Sequence, residues 1–111
     1  MKTILKSTQN WTAVDTFNGK MALSLKDVVG QTLTVYKVAT GMDVNEKGEE
    51  IASACLITET GAYGTISGTA VELCAALIDI FTEGNYESIQ VAVEARRANS
   101  GRDYLALSIV G

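Results

Sequence analysis

The chain has 111 residues, 47% of them hydrophobic and 20% charged, with a formal net charge of -4. That is the size and balance of one globular domain able to bury its own core. It has no histidine and only two cysteines, Cys55 and Cys74, which excludes a Cys/His zinc site, a four-cysteine site within one chain, a Ser–His–Asp triad and a Cys–His pair.

No apolar run is long enough to cross a membrane, and the lysine-bearing start lacks the apolar stretch of a signal peptide. The protein is therefore expected in the cytoplasm, without a membrane partner. Cys55 and Cys74 lack a CxxC spacing and read as buried, reduced thiols. The charge is unevenly placed. Residues 1–47 hold six positive and four negative side chains, residues 48–95 eight negative and none positive, and residues 96–111 three positive and one negative.

Residues 1–30 are the least legible and read as an N-terminal arm or extra strand and turn, ahead of a main unit over 31–111. "MKTILK" suits a short strand. Asn18-Gly19 suggests a turn. "SLKDVVG" suits one helical turn stopped by Gly30. From Gln31, "QTLTVYKVATGMDV" and "EIASACLITETG", joined by the polar "NEKGEE", predict a long antiparallel hairpin over 32–60. "AYGTISG" predicts a short third strand.

A helix is predicted over 69–83. Thr69 and Glu72 have capping-box spacing, Val71, Cys74, Ala75, Ile78 and Phe81 recur at helical spacing, and Gly84 stands where a left-handed cap belongs. Two strands close the chain. Ile89, Val91 and Val93 alternate with polar or small residues, as do Leu105, Leu107 and Ile109. "ANSG" between them is a hairpin turn with Gly101 free to take a positive φ.

The order β-β-β-α-β-β is that of the OB-fold, a five-stranded Greek-key barrel with a helix between strands 3 and 4. Such barrels bind oligonucleotides on strands 2–3 and on the loops joining strands 1–2 and 4–5. All three arginines of this acidic chain, Arg96, Arg97 and Arg102, then fall on the 4–5 loop and its flanks. Period-2 parity puts Arg96, Arg102 and Tyr104 on one outer surface and points Arg97 the other way, unless a bulge re-aims it. Cations that track phosphates beside a ring that stacks on bases suit single-stranded nucleic acid. Arginines at a hairpin tip are also commonly just solvated charges. Tyr63, Tyr36, Lys37 and Lys47 are further candidates, each open to a packing or surface role. Trp11 is either a stacking platform or a staple fastening the N-terminal arm.

The segments "LKDVVGQTLTV", "ITETGAYGTISGTAVELCAALIDIF" and "SGRDYLALSIV" resemble the small single-stranded DNA-binding proteins of tailed bacteriophages, those of protein-primed phages in particular. Tyr63-Gly64-Thr65, Ser67 to Thr69 and Gly101-Arg102-Asp103-Tyr104 carry the resemblance, which spans roughly residues 23–110. It implies an OB-like fold that coats single strands during replication, with no catalysis and no cofactor. Replication proteins are possible partners on this resemblance, but the sequence shows no acidic tail like that with which bacterial relatives recruit them, so tail-mediated recruitment is not expected. The oligomeric state is left open between monomer and homo-oligomer. Two other readings stand beside it: a phage accessory or anti-defence factor that binds a host protein or nucleotide, and a structural virion component. Enzymatic function has no support, because no carboxylate pair or phosphate-cradling loop has a recognisable spacing.

Overall fold

The computed structural model describes residues 3–110. In chain order they form β1 (Thr3–Ser7), α1 (Ala13–Gly19), β2 (Leu23–Ser24), a 3-10 turn (Leu25–Val28), β3 (Thr32–Val44), β4 (Glu50–Thr58), β5 (Gly61–Thr65), α2 (Gly68–Gly84), β6 (Ile89–Arg97) and β7 (Asp103–Ile109).

The sheet runs β2-β5-β4-β3-β6-β7, with β1 also on β3. The thirteen-residue β3 is its hub. One edge pairs with β4 from Val35–Thr58 to Val44–Glu50. The other edge pairs first with β6, from Thr32–Ala92 to Val35–Ile89, and further on with β1, from Ser7–Ala39 to Thr3–Met42. β1 thus satisfies backbone groups that β6 leaves unpaired, which would otherwise be an open edge.

The expectation of an OB-like five-stranded barrel with one helix holds in its mainly β, OB-like character and is corrected in its details. The sheet has seven strands, because β1 and β2 join it, and α1 is a second helix. The sheet is also a curled half-barrel. Among the described residues no ladder joins β7 to β5. Leu25 and Val28 of the 3-10 turn enter the core there and close it with side chains. The order β3-β4-β5-α2-β6-β7 within this frame remains OB-like.

Leu33, Val35, Val38, Leu56, Val91 and Val93 form the sheet side of the core. Against them α2 sets Ala70, Cys74, Leu77, Ile78 and Phe81, three or four residues apart on one face. Each large side chain so buried contributes about 1.5–3 kcal/mol. A register shift between Val35 and Lys37 leaves Tyr36 outside while Val35 and Val38 both point inward.

The ends of α2 differ from expectation. The N-cap is Ser67, without a side-chain cap bond, so Thr69 and Glu72 lie inside the helix and form no capping box. The left-handed cap is Asn85, with φ 53°, a conformation that Asn tolerates. Gly84, the last helical residue, leaves room for the ring of Tyr86, which a Cβ there would meet.

Candidate nucleic-acid interface

β6 and β7 pair from Val91–Ile109 to Arg97–Asp103, and Ala98 to Arg102 close the tip. The Gly101 amide donates to the Ala98 carbonyl and the Ala98 amide to the Arg102 carbonyl, both at 2.9 Å, with Gly101 at φ +83°. The turn therefore has the geometry that "ANSG" foretells. It sets Arg96 directly opposite Tyr104, on one face of the ribbon, and Arg97 opposite Asp103 on the other.

The arginines differ in their partners. Arg96 donates through Nε and a terminal nitrogen to Glu94 Oε2, at 2.9 and 2.6 Å, and reaches Ser108 Oγ at 3.2 Å. The guanidinium holds the Glu94 carboxyl below the usual carboxylate range, and the carboxylate raises Arg96 in return. Arg97 Nε lies 3.2 Å from Asp103 Oδ1, with both side chains exposed. Arg102 is exposed in the turn and makes no ion pair among the described residues. The tip thus offers one unpaired guanidinium and two whose exposed carboxylate partners are weakly held in water. A phosphate can compete for all three.

The remaining candidates lie elsewhere. Tyr36 is exposed beyond the Val35–Ile89 pair, at the end of β6 remote from the tip. Lys47 is exposed in the β3–β4 turn, where the Asn45 side chain accepts the Lys47 and Glu49 amides. That turn leaves β3 at the end opposite the arginine hairpin, so the two basic tips flank the sheet. Tyr63 is buried in the core, and its hydroxyl meets Thr60 Oγ1 at 2.9 Å. Lys37 Nζ is 2.8 Å from Asp15 Oδ2, a carboxylate with only 8% of its side chain exposed. Trp11 Nε1 donates to Thr16 Oγ1 at 2.9 Å, across the start of α1. The Trp11 bond lies within the N-terminal segment and favours neither of its two readings. The other contacts tie Lys37 to α1 and Tyr63 to the core, so of the candidates the hairpin gathers only Arg96, Arg97, Arg102 and Tyr104.

A family model described as phage single-stranded DNA-binding protein, of the phi29 type, matches residues 1–110. The chain belongs to this family. Neither the curated proteins nor the solved structures gave a match. Membership supports single-stranded DNA binding for this chain and indicates no enzymatic domain. Among the described residues there is no helix long and apolar enough to cross a membrane, and no group of three or more side chains suited to hold a metal ion.

In an OB-like fold the face of the second and third barrel strands, here β4 and β5, is the expected ligand face. Here α1 roofs much of it. A Cβ on Gly19 would lie 3.4 Å from Cys55 Sγ, and one on Gly64 would lie 3.7 Å from Ala22 Cβ. Burial pushes the Cys55 thiol up to about 11 and the Cys74 thiol to about 12, so neither is a nucleophile at neutral pH. α1 is fixed by a capping box that sequence reading missed. Thr12 Oγ1 accepts from the Asp15 amide, and the Asp15 carboxylate accepts from the Thr12 amide at 2.9 Å. "TAVD" was a readable signal, with Asp in place of the usual Glu. Burial raises the Asp15 carboxyl, yet hydrogen bonds from Lys37 and Thr12 outweigh it and hold the group below 3.8.

What the roof leaves open is a cleft of about 510 Å³ between α1, β2 and β5, lined by Ser53, Asp43 and Lys26 among others. Lys26 also lines a hollow of about 400 Å³ at the open seam, opposite Tyr104 and Leu105. Lys26 and Ser67 line both, so the cleft adjoins the seam beside Tyr104.

Proposed function

We propose that the chain coats single-stranded DNA during phage replication in the host cytoplasm, without catalysis and largely without regard to sequence. The observation that carries this reading is the Arg96–Tyr104 cross-strand pair at a tip that also holds Arg97 and Arg102, in a chain of a single-stranded DNA-binding family. Arg96, Arg97 and Arg102 contact phosphates, and the Tyr104 ring stacks on a base. Contacts of this kind carry little base information, because phosphates are alike and every base has a π-face. Lys47, on the opposite tip, adds a further phosphate contact when the strand spans the sheet.

The acidic stretch over 48–95, which includes Glu72, Asp79 and Glu83 on α2, repels phosphate from the helix side. It confines the strand to the basic face.

Titration of fluorescent oligo-dT of increasing length tests the reading. Tight binding that strengthens with length and weakens with salt is the expected result. No affinity for oligo-dT at low salt would overturn it and leave the reading of an accessory factor that binds a host protein.

A further inference from the structure

The cleft between α1, β2 and β5 has features that packing does not explain. Ser53 is 3% exposed, and its Oγ has no hydrogen-bond partner among the described residues. A buried hydroxyl left unpaired is unfavourable and uncommon in a native fold. Ser53 lies opposite Gly41 on the β3–β4 ladder and lines the cleft. Gly19, Ala22 and Gly64 line the cleft too, small residues where the α1 segment packs closely on β4 and β5. At the rim stand Leu23 and Ile66, apolar side chains left 60% and 66% exposed. The volume of about 510 Å³ suits one small molecule-sized group and not a peptide helix.

Lys26 connects this cleft to the arginine hairpin. It lines both the cleft and the seam hollow that holds Asp103 and Tyr104. Lys26 is thus an exposed cation where the cleft adjoins the Tyr104 side of the hairpin.

We propose that the cleft seats one unstacked nucleotide of the bound strand. Its base lies against Leu23 and Ile66, a polar atom of that base meets the Ser53 hydroxyl, and Lys26 holds the adjoining phosphate. This rests on the single-stranded DNA reading above and adds a residue-level path to it. The hydroxyl both donates and accepts, so it serves any of the four bases, in line with sequence-independent coating. The seat explains why the roof over β4 and β5 leaves a gap in front of a buried polar atom.

The test uses the full chain, with labelled oligo-dT and an oligomer of equal length made of abasic sites. Ser53→Ala should weaken oligo-dT binding about five-fold, the size of one net hydrogen bond. The surface variant Leu23→Ala with Ile66→Ala should weaken it at least as much, and it keeps the proposal testable if Ser53→Ala fails to fold. Both variants should bind the abasic oligomer as the wild type does, since no base remains to be seated. Both should keep the wild-type salt slope, since no phosphate contact is lost. Wild-type affinity for oligo-dT in both variants would overturn the seat while leaving single-stranded DNA binding in place. Equal losses on the abasic oligomer would also overturn it. A wild-type chain with no oligo-dT affinity would remove both readings together.

Discussion

Lys37→Met tests whether the lysine holds α1 on the sheet or waits for DNA. The substitution keeps most of the aliphatic stem and removes the charge that sits 2.8 Å from Asp15. Asp15 would then keep only the Thr12 amide and hydroxyl as partners, at 2.9 and 3.0 Å. A lost hydrogen bond to a charged group costs about 1.5–3 kcal/mol. The break of a fully buried pair costs about 3–5 kcal/mol. Lys37 keeps 26% of its side chain exposed, so the lower range applies. We expect a loss of about 2 kcal/mol, or a fall in Tm of about 8–16 °C for a domain near 100 residues. Urea melts followed by circular dichroism and by the fluorescence of Trp11, the chain's one tryptophan, give the measurement. The Trp11 transition should move to lower urea more than the helical signal, because α1 is released first. Adding Asp15→Asn should restore part of the loss, since it removes the stranded charge. The pH dependence has a defined sign. The folded value of Asp15 lies below 3.8, so its contribution is full above pH 3.8 and is lost as the pH falls through the depressed value. Lys37→Met should show less of this acid loss. Oligo-dT affinity should stay at the wild-type level. A variant that melts with the wild type but binds DNA more weakly would refute the reasoning and return Lys37 to the interface.

Tyr104→Ala should weaken oligo-dT binding by about 1–3 kcal/mol, the range for loss of one base-stacking ring. Tyr63→Phe should leave DNA affinity unchanged and lower stability by about 1 kcal/mol through loss of the Thr60 hydrogen bond; circular dichroism melts and fluorescence titration separate the two effects. Cys55 and Cys74 are buried and raised to about 11 and 12. A thiol-reactive dye at pH 8 should therefore label the native protein only at the rate of unfolding, and fast labelling of either thiol would contradict its placement.

The parts of the fold with a clean period were legible. The stripe Cys74, Ile78, Phe81 marks α2, and the alternation Ile89, Val91, Val93 marks β6. Gly101 marks the turn that gathers the arginines. What the sequence hid has local causes. α1 is a seven-residue helix that ends in Asn18-Gly19, a pair that reads as a turn. Its cap uses Asp where Glu is the usual signal. The bulge at Tyr36 changes parity within β3, so alternation alone cannot tell which of Tyr36 and Lys37 faces out. Tyr63 lies between Ala62 and Gly64, whose small side chains give no inside–outside contrast, so its place in the core could not be read. The partners of Arg96 were equally invisible, because Glu94 and Ser108 meet it only once the β6–β7 register is set.

The central claim is that the β6–β7 tip grips phosphate, and the salt dependence of oligo-dT binding measures it most directly. Each phosphate neutralised on a single strand contributes about -0.7 to the slope of log K against log salt. Three arginine contacts supply about -2, and a Lys47 contact makes the slope steeper. The double change Arg96→Ala with Arg102→Ala should make it shallower by about 1.4. Affinity should fall almost equally for oligo-dT, oligo-dA and mixed sequences, because phosphate contacts do not read bases. Both side chains are exposed, so folding should hold. A double variant with the wild-type slope would show that these arginines are ordinary solvated charges and that the strand binds elsewhere.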